Sequence, residues 1–188
     1  KKIIILLGAK KFKADDFKVM IVFALLLAGI SWAVLPLKNL MLAYSIITIL
    51  IGFFMALTAL CIRKLGSVMF FIALYSILSI GTGTIGISGM KKVVIFIVIG
   101  ALFEIIFFLL RFNGDRVDAL VASSVSCAAI PFSVGVILSY DLMRELFVNM
   151  LNLSLISMVL GFIGSVLAVL LWGKVRNKKF FVRLRYAP

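Results

Sequence analysis

The sequence predicts an all-α integral membrane bundle of six transmembrane helices with both termini in the cytoplasm. Three observations carry that expectation. The first is composition: 64% of the 188 residues are hydrophobic and only 14% are charged, where soluble domains carry about 25% charged residues. The second is the recurrence of six apolar runs, bounded by prolines, glycines, turn residues or basic pairs. Six spans of roughly 20 residues each would leave only tails and short loops, and no room for a soluble catalytic domain. The third is charge placement. With the N-terminus inside, sixteen of the twenty Lys and Arg fall on the cytoplasmic side, and Lys38, Lys91, Lys92 and Arg144 fall outside. That is a positive-inside pattern, and an odd number of spans would scramble it.

The elements follow in order. Residues 1–18 hold six lysines broken by IIILL and read as a basic interfacial segment. The membrane domain is expected over 19–172. Its first span runs from about Val19 to Leu35 and stops at Pro36; the second covers about Leu40 to Ile62 and ends at Arg63-Lys64. A third starts near Ser67 and is clearly apolar only to Ile80, because GTGTIGISG (81–89) disfavours a regular helix. The fourth follows Lys91-Lys92 and ends at Arg111, before an Asn-Gly turn. The fifth covers about Val117 to Leu138 with Pro131 as an expected kink, and the sixth about Phe147 to Trp172. Residues 173–188 form a basic cytoplasmic tail.

The composition also removes whole classes of chemistry. The chain has no histidine, and with it go the usual catalytic base and the commonest metal ligand. Cys61 and Cys127 lie in apolar segments, as small core residues rather than a disulfide or a metal site. No phosphate-binding glycine loop followed by Lys and Ser or Thr is present, so the chain is not expected to hydrolyse ATP. The net charge of +13 is accounted for by cytoplasmic loops and anionic lipid headgroups, with no nucleic acid implied. No cofactor or metal is expected, and no enzymatic activity.

Within the spans, polar and small residues carry the information. Glu104 is the one charge read well inside a span. It needs a partner, a proton or a polar cavity there; Arg111, seven residues on along the same face, or hydroxyls on span five are candidate partners. Ser154, Ser157, Gly161, Gly164 and Ala168 form a small-residue stripe on span six, matched by Gly52, Ala56 and Ala59 on span two. Ala24 and Ala28 lie one turn apart on span one, either as contacts inside the bundle or as a surface for a partner. The candidate substrate contacts lie toward the outer end: Ser133 and Tyr140 from span five, Asn149 and Asn152 sharing a face of span six, and Ser79 before the glycine-rich stretch. Such groups suit a small polar molecule of little net charge, or ordinary interfacial polarity.

Taken with the Ala24-LLL-Ala28 and Gly100-ALF-Glu104 spacings and the stretch MALTALCIRKLGSVMFFIALYSILSIGTG (55–83), this organisation resembles the substrate-capture subunit (S component) of an energy-coupling-factor transporter. Its branch is the MptD or Trep_Strep-like one. The resemblance implies a multi-pass cell-membrane protein that captures a small nutrient, such as a vitamin, on its outer side. It implies a membrane coupling subunit and two ATPase subunits as partners. Ala24 and Ala28 would be docking positions, Asn149, Asn152, Ser133 and Tyr140 ligand contacts, and 81–89 a lid. The outer loop Pro36–Asn39 is short for that family. Three other readings stand beside it: a secondary carrier using Glu104 as proton relay, a membrane enzyme built on Asp115, Arg116 and Asp118, and a non-catalytic accessory protein.

Overall fold

A computed structural model describes residues 12–37, 39–83, 88–110, 115–138 and 143–175, with 115, 136–138 and 143–148 by backbone alone. These residues form six helices and no strand: α1 Ala14–Val34, α2 Leu40–Ile62, α3 Ser67–Leu78, α4 Met90–Leu110, α5 Asp115–Leu138 and α6 Met143–Val175. Five of them are long and apolar enough to cross a membrane, as in a multi-pass membrane protein. The expectation of six spans is corrected at α3. Its 12 residues reach about 18 Å, well short of a hydrocarbon core of about 30 Å. The glycine-rich stretch that follows is the physical reason, because the helix gives way to a turn at Ser79.

Local chemistry sets the helix ends. Asp16, in the first turn of α1, accepts from the Lys13 backbone N–H at 2.8 Å, which satisfies a donor that the helix cannot use. The Asn39 side chain caps α2 by accepting from Met41 N–H (3.1 Å) and Leu42 N–H (3.2 Å). At the other end of α2 the chain turns through two left-handed residues, Arg63 (φ 53°) and Gly66 (φ 87°). Arg63 N–H closes that helix on Ala59 O at 3.1 Å. Beneath this turn Asp16, 2% exposed, pairs with Lys64, so the start of α1 and the end of α2 are tied together.

α2 is the hub of the bundle, packed against α1, α3, α5 and α6, while α4 lies on α3 and α5. The tightest packing is between the small-residue stripes. A Cβ on Gly52 would lie 2.6 Å from Gly161 O, and one on Gly164 would collide with Ile49 O, so the two backbones touch. Ser154, Ser157, Gly161, Gly164 and Ala168 are all buried. Lipid tails are as apolar as leucine, so close backbone approach of this kind takes over the part that water plays in soluble cores. Hydroxyls fasten the same region: Tyr44 bonds Ser157, and Ser154 donates to Ala128 O. That carbonyl is one residue from Cys127 O, which the ring of Pro131 deprives of its helical donor. α5 nevertheless runs through Pro131 as one helix.

Ala24 and Ala28 are 0% and 5% exposed. They are contacts inside this bundle, and the outward face of α1 is formed by Ile21, Val22, Leu25, Leu26 and Gly29 instead. Trp172, at the expected end of the sixth span, is also buried, at 3%.

Candidate functional site at the ends of α3

A helix of 12 residues in an apolar bundle presents two electrical problems. Its first turn has free N–H groups and partial positive charge, and its last turn has free carbonyls and partial negative charge. Both are answered by one neighbour. Glu104 of α4, 8% exposed, accepts from Val68 N–H at 2.8 Å, and its carboxyl also faces the amides of Gly66 and Met69. Lys92 of the same helix, 0% exposed, reaches the opposite end. Its ammonium donates to Ser79 O at 2.8 Å, Thr82 O at 3.0 Å and Thr82 Oγ1 at 2.6 Å. Each charge has the sign that the helix end favours.

Length makes this possible. Lys92 and Glu104 are twelve positions apart on α4, about 18 Å along a helix, and α3 has the same rise over its own length. The two helices run antiparallel, so α4 spans α3 from cap to cap. Gly100 lies between the two charges, and a Cβ there would stand 3.0 Å from Met69 Cα. The glycine lets the helices approach closely enough for both caps to close.

The Lys92 end gathers further polar groups. Tyr75, 0% exposed, meets Ser31 of α1 through their hydroxyls at 3.0 Å. The Ser31 hydroxyl donates to Leu27 O at 2.9 Å, so the phenol must be the donor in the Tyr75–Ser31 bond. The Lys92 ammonium lies 5.7 Å from the Tyr75 ring centroid. Trp32 of α1 donates its indole N–H to Leu78 O at 3.4 Å, another carbonyl of the same helix end. Ser79 Oγ is buried near the Tyr75 hydroxyl and has no partner at hydrogen-bonding distance among the described residues. Gly89 N–H donates to Ile80 O at 2.9 Å and draws the 80–89 segment together at its base.

The sequence-derived candidates have separate fates. Ser79 belongs to this cluster. Ser133 is half-buried and donates to Ala129 O of its own helix at 2.9 Å. Asn149 and Asn152 are exposed on α6 and do not share the surroundings of Ser79. Tyr140 and Arg111 lie outside the described residues, as does the 84–87 part of the expected lid. Glu104 finds its partner on α3, where an open helix end offers N–H groups; the expected hydroxyls of span five are not among its bonded partners. Lys92 is the residue that sequence reasoning misplaced. Beside Lys91 it reads as a loop charge, but α4 begins at Met90 and carries it inside. The signal that would have found it is the match between the 92–104 spacing and the length of the apolar run 67–78. No group of three or more His, Cys, Asp or Glu suited to a metal ion exists among the described residues.

Comparison of the chain with protein-family models, with curated protein sequences and with solved structures gives no match.

Proposed function

We propose that this chain is the membrane-embedded capture subunit of an ATP-driven importer of the energy-coupling-factor kind, a non-catalytic bundle in the cell membrane. It takes a small nutrient from outside and releases it inward only with a coupling subunit and two ATPases. The observation that carries the reading is the cluster of Ser31, Tyr75, Ser79, Thr82 and Lys92, all 0% exposed, gathered at one end of the bundle. Although α3 is too short to span, it still returns the chain toward the Lys92 end, so the alternation behind the Lys and Arg distribution is kept and supports reading that end as outer and the Asp16–Lys64 end as cytoplasmic. A polar group in such surroundings costs free energy unless it is bonded, and the Ser79 hydroxyl has no partner among the described residues, which favours a role in recognition. The buried positions of Ala24 and Ala28 move the docking surface to the outward face of α1, where a Cβ on Gly29 would meet open space.

Native mass spectrometry of the tagged chain, extracted in mild detergent from its own membrane, tests this. A particle containing two ATPase chains and a coupling subunit is the expected result. A stable homodimer without ATPase in several mild detergents would overturn it.

A further inference from the structure

We propose that the cluster at the Lys92 end recognises an oxyanion, a carboxylate or phosphate group, through the Lys92 ammonium and the hydroxyls of Ser79 and Thr82. This names a ligand class for the same cluster on which the capture reading rests, but it does not depend on the transport partners. Three observations lead to it. The ammonium is wholly buried, and its acceptors among the described residues are all neutral oxygens: Ser79 O, Thr82 O and Thr82 Oγ1. No carboxylate takes part in the cluster among the described residues; Glu104 is committed to the far end of α3. Among the described residues one donor that lines it is left over, the buried Ser79 hydroxyl, while the Thr82 hydroxyl donates only to Ser79 O of its own turn at 2.9 Å. Donors and a cation without an anion are the complement of an oxyanion, and charge-assisted bonds to such a ligand are stronger than those to neutral oxygens.

The acceptors now held by Lys92 are cheap to exchange. Two of the three belong to Thr82, beyond the last residue of α3, in a turn closed by Thr82 N–H on Ser79 O at 2.9 Å. An oxyanion that replaces the Thr82 oxygens needs that turn to shift while α3 and α4 stay packed. Ser79 O remains a ligand of the ammonium, so the C-terminal cap of α3 survives binding.

The test uses the full chain in maltoside micelles, which contain no phosphate or carboxylate. Thermal unfolding is followed with inorganic phosphate, succinate, glucose or choline added, and separately with phosphatidylglycerol. Phosphate or succinate is expected to stabilise the chain in a saturable manner while glucose and choline do not. Lys92→Met is expected to weaken that binding about tenfold to a hundredfold, the range for losing a bond to a charged group. Stabilisation by phosphatidylglycerol alone, lost in Lys92→Met, also supports oxyanion recognition and makes a lipid headgroup its source. Failure of every anion to stabilise the chain, or equal stabilisation of Lys92→Met, overturns the proposal. If Lys92→Met does not accumulate, Ser79→Ala decides: it leaves the charge and helix intact, and unchanged anion affinity in that variant overturns it. None of these outcomes depends on whether ATPases co-purify, so the two readings fail separately.

Discussion

Replacing Glu104 tests the capping of α3 most directly. Glu104→Leu puts an apolar side chain of similar size in place of the carboxyl and leaves Val68 N–H, now bonded at 2.8 Å, without an acceptor. An unsatisfied buried donor costs about 1–3 kcal/mol. Loss of a negative group at a helix N-terminus adds up to about 2 kcal/mol in a partly buried setting. Together they give a loss of about 1–5 kcal/mol, on the order of a 10 °C fall in Tm at the middle of that range for a chain of this size. Glu104→Gln retains a carbonyl oxygen at the same reach and gives up only the charge, so its loss is about 1 kcal/mol. Unfolding in maltoside micelles, followed by circular dichroism, reads both values. Amide hydrogen exchange at Val68 locates the effect, with protection lost in Glu104→Leu and largely kept in Glu104→Gln. If Glu104→Leu is as stable as the parent and Val68 exchanges unchanged, the carboxyl is not holding the helix. If the Gln and Leu variants lose equally, the hydrogen-bond half of the argument fails.

Further outcomes are expected elsewhere. Gly164→Ala places a methyl group on Ile49 O and should cost a few kcal/mol or prevent accumulation. Gly29→Ala meets nothing within 4 Å and should gain up to about 1 kcal/mol, both by the same unfolding assay. Ala28→Leu should destabilise the isolated chain by about 1–3 kcal/mol through overpacking; an effect seen only on partner binding would contradict its burial. A double-mutant cycle on Asp16→Ala and Lys64→Ala should show coupling of about 1–3 kcal/mol, since both side chains are at most 10% exposed. Cys61 and Cys127, both buried, should resist maleimide in the folded protein and label after denaturation, as mass spectrometry would report.

Much of the bundle is legible in the sequence because lipid demands so little variety: long apolar runs, small-residue stripes and basic flanks are one-dimensional signals. The stripe of Ser154, Ser157, Gly161, Gly164 and Ala168 pointed inward as periodicity required, and α3 faltered where its glycines begin. Ala24 and Ala28 show the limit of such signals. Two alanines one turn apart state that something approaches closely, not whether it is a neighbouring helix or another protein. The site was half legible. Glu104 stands out by being a lone charge in an apolar run, whereas Lys92 hides beside Lys91 at a boundary, where lysine is ordinary. Its role depends on which helix end lies opposite, and that is a property of antiparallel packing, invisible along a single strand of text.

The matched lengths of α3 and of the Lys92–Glu104 interval have a consequence for how this chain can change by insertion and deletion. One residue added to α3 advances its far end by about 1.5 Å and rotates it by about 100°, so a cap that was in place at one end is lost at the other. The same insertion between positions 92 and 104 does the reverse. Either event alone uncouples a charge from its helix end, and only paired events of whole turns, close to 4 residues in both helices, restore both contacts. Point substitutions across this pair of helices are therefore separable from one another, but their lengths are inherited together.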